Sequence, residues 1–322
     1  MICFHQTRGH AYTLRHVRRS PSAPPIRQGN YDQLLRARSV PRGTQVFTDL
    51  ERLGPWDLEL AAGLYLQMKQ AGLPVWNNPA RFKNRHSLLR TLHRAGLNDF
   101  DAYRVHGISA IRRYPVFLRK IQNHRSPVSY LLHTPAEVAE AVDRALAGGT
   151  PEENLVVIEY LAEPVRPGFY RRFSCYRVGP DIVPYLTLHD RVWLVKYGVE
   201  QGLEFDGIED VYREEHALIE QACHAEHLRR VFEIAGVEYG RADYGLYQGR
   251  IQVFEINTNP HLDPPEPHAS ATRAATMKLV WNNYLAALRR LDSPGGPRVP
   301  LADGIKKHRA WKYLFVRTRK AP

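Results

Sequence analysis

Arg241-Ala-Asp-Tyr-Gly-Leu-Tyr-Gln-Gly-Arg-Ile-Gln-Val-Phe-Glu-Ile-Asn-Thr-Asn-Pro260 is the stretch that decides how this chain reads. Val237 to Leu246 and Ile251 to Ile256 are apolar-rich segments separated by Gln248-Gly249, a turn signal, so the stretch reads as a β-hairpin. Successive strand side chains point to opposite faces, which puts Glu255 and Asn257 on one face and Phe254 and Ile256 on the other. A three-residue loop, Gln248-Gly249-Arg250 with a left-handed glycine, pairs Tyr247 with Ile251 and Asp243 with Glu255. Asp243, Glu255 and Asn257 then converge as three oxygen ligands, the donor set that suits a hard cation such as magnesium. The bland alternative is a half-polar surface hairpin. The ending Asn257-Thr-Asn-Pro260 argues against it, because carboxylate, amide and proline at a sheet edge pack poorly.

Two upstream segments belong with the hairpin. Val156-Val-Ile-Glu-Tyr-Leu161 is a buried-type strand whose end leaves backbone groups in need of partners. Pro115-Val-Phe-Leu-Arg119 ends an apolar strand on a cation, an unfavourable arrangement unless it faces an anion.

Together these segments resemble the ATP-grasp superfamily over about residues 75–270. In that superfamily an Asp is followed twelve residues on by Glu-x-Asn, as Asp243 is by Glu255-Ile-Asn257 here. The resemblance implies that Asp243, Glu255 and Asn257 hold Mg2+ against the phosphates of ATP. It implies that Glu159, Tyr160 and Leu161 contact adenine, and that Arg85 and Arg119 replace two phosphate-binding lysines. An arginine fork binds phosphate in bidentate fashion, so the exchange is chemically reasonable. Lys120 points to the other face of its strand. Arg172 takes the place of a basic residue that neutralises a transferring phosphoryl group, so Arg119 and Arg172 are the catalytic candidates. Lys196, on a segment flanking the cleft, joins the nucleotide contacts. Arg171, at odd parity, is expected in solvent, and His189 is expected as a surface histidine. The family's glycine-rich loop is replaced by Gln122-Asn-His-Arg-Ser-Pro-Val-Ser-Tyr130, which has no glycine; Asn123, His124, Arg125, Ser126 and Ser129 offer side-chain donors instead.

The expected fold class is α/β, with α+β character in the ATP-grasp halves: a Rossmann-like preamble precedes two lobes that clasp nucleotide between them. The expected divisions are 1–80 for the preamble (basic loop 8–30), 81–157 for the central lobe, 158–290 for the C-terminal lobe with the metal hairpin, and 291–322 for a basic tail. Within the preamble, strands at Ile2 to Phe4, Gly43 to Thr48 and Pro74 to Trp76 alternate with helices at Tyr31 to Ala37 and Asp57 to Ala71. Residues 20–30 read as a Pro-rich loop without a packing pattern. Further helices are expected at Lys83 to Arg94, Pro135 to Ala147, Glu214 to Ile234 (one long amphipathic helix) and Ala269 to Leu291. Asp101 to Val105, Phe169 to Val178 and Ile182 to Leu188 are expected as strands, with an edge strand at Trp311 to Val316.

A hydrophobic content of 43% in 322 residues is that of a globular chain, and no apolar run approaches the length of a membrane span. Cys3, Cys175 and Cys223 are too scattered for a disulfide framework or zinc site, which fits a cytoplasmic protein. The first 31 residues carry arginines and no Asp or Glu, a composition shared with transit peptides, although a strand followed by a basic loop is the favoured reading. A formal charge of +12 favours anionic partners, and no nucleic-acid motif with interleaved aromatics is present. The expected activity is ATP-dependent joining of a small-molecule or peptide carboxylate to an amine or thiol through an acyl phosphate. A small-molecule kinase on the same scaffold, or a nucleotide-binding protein without turnover, are the alternatives.

Overall fold

Ile2, Cys3 and Phe4 are buried without alternation, the pattern of a strand covered on both faces. In the computed structural model, which describes residues 1–122, 126–195 and 208–302, they form β1 (Ile2–Gln6). Next come α1 (Arg15–Arg19), β2 (Ile26–Asn30), α2 (Tyr31–Arg36), β3 (Ser39–Val40), β4 (Thr44–Phe47), α3 (Pro55–Gln70) and β5 (Val75–Trp76). Strands β2-β1-β4-β5 make a parallel sheet in that order, the architecture expected of the preamble. One expectation fails here: Ile26–Asn30 is not loop but the edge strand β2. An edge strand needs one pairing neighbour, and Ile26 alone packs on the core, so Arg27-Gln-Gly-Asn30 leaves no alternation to read.

Asn77 fastens this parallel sheet to the backbone at Glu238 and Tyr239. It sits at φ 61°, a left-handed conformation that Asn tolerates better than most residues. Its Nδ2 donates to Phe47 O (2.9 Å) and Tyr239 O (2.7 Å), and its Oδ1 accepts from Glu238 N (2.8 Å) and Tyr239 N (2.9 Å). All four bonds of a buried amide are thus satisfied across the junction.

Helix α4 (Arg85–Arg94) is capped by the Asn84 side chain and buries Leu88, Leu89 and Leu92. Then follow β6 (Ala102–Tyr103), shorter than expected, β7 (Val116–Lys120), α5 (Pro135–Ala147) and β8 (Leu155–Glu159). The order is β6-β8-β7, antiparallel, and α5 lays Val138, Ala141, Val142 and Ala145 on Val116, Leu118, Leu155 and Val157.

The remaining elements are β9 (Tyr170–Val178), β10 (Asp181–Asp190), α6 (Ile208–Glu220), α7 (Ala225–Ala235), β11 (Tyr239–Tyr247), β12 (Arg250–Asn257), α8 (Ala271–Leu291) and β13 (Val299–Pro300). Strands β10-β9-β11-β12 form an antiparallel sheet, and β13 pairs with β3. The single helix expected over Glu214 to Ile234 is two, α6 and α7, broken where Ala222 adopts φ 49°. The halves serve different neighbours: α6 packs on α8, and α7 on α4. The expected strand at Trp311 to Val316 lies outside the described residues. Cys3, Cys175 and Cys223 are all free, and among the described residues no helix is long and apolar enough to cross a membrane.

Arg171 and His189 correct two further expectations. Parity does turn Arg171 away from Arg172, yet the far face is not solvent but the face covered by α6. Arg171 forks onto Glu214 (2.8 and 3.0 Å), and its Nε donates to His189 Nε2 (2.9 Å). His189 is buried, 7% exposed. Because arginine only donates, His189 accepts as a neutral ring. Burial, then Arg171 and Arg273, pull its pKa from 6.5 down to about 3.

Beneath α6, Glu215 pairs with Arg273 of α8, both nearly fully buried, and Glu215 also accepts from Thr187 N (2.5 Å) and Thr187 Oγ1 (2.8 Å). This pair fixes two helices to β10. Arg273→Met leaves a buried carboxylate without its cation and is expected to cost about 3–5 kcal/mol in urea unfolding. A loss below about 1 kcal/mol would show that the pair is dispensable.

The His189 shift makes a pH prediction. Between about pH 3 and 6.5 the unfolded chain binds a proton that native His189 refuses, so this group's contribution to stability falls as pH drops through that window. His189→Gln, which keeps an acceptor for Arg171, is expected to lose less stability than wild type between about pH 7 and pH 4. Equal losses in paired urea titrations would assign the pH dependence elsewhere.

Candidate functional site

The hairpin β11–β12 turns on Gln248 and Gly249, both with positive φ (49° and 72°), the signature of a two-residue I′ turn. Tyr247 therefore pairs with Arg250, not Ile251 as a three-residue loop requires. The register shifts between Asp243 and Tyr244: Tyr244 faces Val253 while Asp243 faces Glu255, leaving Phe254 as the extra residue of a β-bulge. The Phe254 ring lies over Gly245, where a Cβ would come within 2.9 Å of its Cζ. Glycine is required there by this close approach. The bulge restores the Asp243–Glu255 pair that the shorter turn would have broken.

Asp243 is buried and held from three directions. Its Oδ1 accepts from Ser174 Oγ (2.8 Å) and Arg241 Nε (2.8 Å), its Oδ2 from Arg241 Nη2 (3.1 Å), and Arg172 Nη1 stands 3.7 Å from Oδ2. Burial acts to lower the Arg241 pKa, but Asp243 outweighs it and the net shift is upward. Glu255 Oε2 accepts from Arg85 Nη2 at 2.5 Å, with Arg119 Nη2 at 3.7 Å. Arg85 Nη1 also donates to Lys120 O (2.6 Å), so this side chain joins the end of β7 to β12. Burial and the neighbouring Arg85 pull the Arg119 pKa down to about 10, against the raising effect of Glu255 and Asp243.

These groups line one end of a cleft of about 240 Å³ between the β6-β8-β7 sheet and the β10-β9-β11-β12 sheet. The other end is apolar, walled by Phe117, Ile158, Tyr160, Leu161, Trp193 and Phe254. Trp193 meets Phe117 and Tyr160 with ring centroids 5.1 and 5.2 Å away. At the strand end, Tyr160 N donates to Pro115 O (2.9 Å). The Glu159 carboxylate accepts from Asp101 N (3.0 Å) and the Tyr103 hydroxyl (2.9 Å), which braces β6 against β8.

The structure brings Arg85, Arg119, Glu159, Tyr160, Leu161, Arg172, Asp243, Glu255 and Asn257 around this single cleft. Lys196, Asn123, His124 and Arg125 lie outside the described residues; Ser126 lines the cleft. Sequence reading passed over Arg241, although strand alternation places it, two residues before Asp243, on the same face. It read Trp193 as part of a polar cluster with Lys196, whereas the ring packs on Phe117 and Tyr160 at the apolar end. The donor set Asp243, Glu255 and Asn257 fits a hard divalent cation: Glu255 and Asn257 are half-buried in the cleft, and Asp243 Oδ2, with one close donor, retains acceptor capacity.

No family model matches the chain, and no curated protein matches it in sequence. Its architecture does match solved structures. D-alanine–D-alanine ligase from Bacillus anthracis superposes with a TM-score of 0.50 at 10% identity, covering 90% of this chain and 97% of that one. ATP-grasp ligase PsnB complexed with minimal precursor gives 0.50 at 12% identity, covering 90% of this chain and 99% of that one. PsnB complexed with precursor peptide PsnA2 and AMPPNP gives 0.50 at 12% identity, covering 90% and 96%. At such identities the likeness is one of architecture: a mixed α/β chain built on the ATP-grasp fold.

Proposed function

We propose that the protein is an ATP-dependent ligase that joins a carboxylate to an amine or thiol through an acyl phosphate. One observation carries this reading. Four guanidinium groups, Arg85, Arg119, Arg172 and Arg241, surround two carboxylates, Asp243 and Glu255, at the polar end of a cleft whose other end is apolar. Four cations against two anions leave an excess of positive charge where a triphosphate would lie. The apolar end, with Tyr160, Leu161 and Trp193, suits a purine.

Asp243, Glu255 and Asn257 would hold magnesium, which when bound supplies Lewis-acid neutralisation of the transferring phosphoryl group. Arg85 and Arg119, both near Glu255 in the ligand-free protein, exchange that carboxylate for phosphate oxygens. A substrate carboxylate oxygen attacks the γ-phosphorus, the bond to the β–γ bridging oxygen breaks, and ADP leaves. Arg172 and Arg119 balance the charge that develops on the equatorial oxygens. The amine or thiol then adds to the acyl carbon, gives up its proton, and expels inorganic phosphate. PsnB is complexed with a precursor peptide, so peptide carboxylates belong in the substrate screen beside small anionic acids. The three free cysteines suit the reducing cytoplasm as the working compartment.

The test is release of ADP and phosphate across pairs of carboxylates and amines or thiols. Phosphate found on the substrate would reassign the protein as a kinase; bound nucleotide without any transfer would leave a binding protein. No affinity for a non-hydrolysable ATP analogue with magnesium, by calorimetry, would sink the reading. Arg172→Ala is expected to lower kcat by about 10²–10³-fold, as removing one aligned oxyanion donor does. Analogue affinity should change far less. An equal loss in both would make Arg172 a ground-state binding residue only.

A further inference from the structure

Away from the cleft, His16, His261 and Asp263 offer ligand atoms that all lie within 4.8 Å of one another, the one such group among the described residues. They come from distant parts of the chain, His16 from α1 and the other two from the segment that leaves β12. Core packing holds both backbones. Val17, beside His16, and Leu262, between His261 and Asp263, are buried in the same hydrophobic cluster. His261 O accepts from Tyr176 Oη of β9 (2.6 Å), and Thr13 Oγ1 donates to Asn259 Oδ1 (2.8 Å), which ties the two segments to each other. The inward Leu262 turns its two neighbours outward, toward His16.

We infer that His16, His261 and Asp263 form a binding site for a divalent first-row transition metal, distinct from the nucleotide cleft. Two imidazoles and a carboxylate are the donors that zinc, cobalt and iron(II) take, whereas magnesium prefers oxygen alone. Tetrahedral ligation at about 2.0–2.2 Å sets ligand atoms roughly 3.4 Å apart, so atoms now up to 4.8 Å apart must close in while His261 Nε2 and Asp263 Oδ1 move apart. The exposed Asp263 side chain and the half-buried His16 ring have the freedom to do so. His261 Nε2 and Asp263 Oδ1, now 2.7 Å apart, exchange their hydrogen bond for the metal. Arg15 Nη2, 3.0 Å from His16 Nε2, is the competing cation; it is exposed and swings into water. A metal here bridges α1 to the segment that follows Asn257.

Cobalt(II) added to tag-free full-length protein should give visible d–d absorption, and zinc should displace it with a one-to-one stoichiometry by calorimetry. His16→Gln and Asp263→Asn, both on the surface, should each weaken zinc by at least about tenfold while circular dichroism stays that of wild type. Glu255→Gln, in the cleft, should leave zinc affinity unchanged. Absence of zinc binding in wild type would overturn the site, as would equal affinity in His16→Gln and Asp263→Asn. Loss of zinc binding in Glu255→Gln with retention in His16→Gln would move the metal to the cleft.

Discussion

One extra residue in β12 sets the geometry on which the cleft depends. A two-residue turn at Gln248-Gly249 fixes the hairpin register from its tip, and that register alone would set Asp243 opposite Phe254. The bulge inserts Phe254 and brings Glu255 across from Asp243, with Asn257 across from Arg241. A slip of one position reverses the face of every side chain. The bulged Phe254 also packs, with Tyr247, against Phe100, Ile158 and Leu161 of the neighbouring sheet. Polar alignment and apolar docking therefore come from the same insertion.

Charge balance follows from that alignment. Asp243, buried, and Glu255, half-buried, are each met by guanidinium groups from separate elements: Arg241 from the same strand as Asp243, Arg172 from β9, Arg119 from β7, Arg85 from α4. Lysine would give a point charge. Arginine gives a fork, and Arg85 uses it to hold two carbonyl oxygens at one end of β7, Lys120 O and Ile121 O, and one carboxylate at once.

The parts of the fold legible in the sequence were those written locally. Strand alternation put Glu255 and Asn257 on one face, and both line the cleft. The Asp243–Glu255 pairing was reached with the wrong loop length, because a longer turn and a shorter turn plus bulge shift the register equally. What failed was non-local. Arg171 was placed on the correct parity, but the helix that covers it and His189 begins at Ile208, and strand periodicity says nothing about a cover from elsewhere. The edge strand β2 has one apolar anchor, Ile26, too little for a pattern. The break at Ala222 arises because α6 and α7 answer to different neighbours, while the sequence through it keeps a helical period. Arg241 was within reach of the same alternation rule applied two residues earlier.

The separation of the cores has a mechanical consequence. The β6-β8-β7 sheet and α5 enclose their own cluster around Val116, Leu118, Val142 and Val157, while Asn77 binds the parallel sheet to the large antiparallel sheet. The other face of the β6-β8-β7 sheet meets the hairpin through Phe100, Ile158 and Leu161, which pack on Tyr247 and Phe254. Arg85, on a helix that packs beside β12, reaches from Glu255 across to Lys120 O at the end of β7. Any group that drew Arg85 away from Glu255 would therefore also disturb its hold on β7.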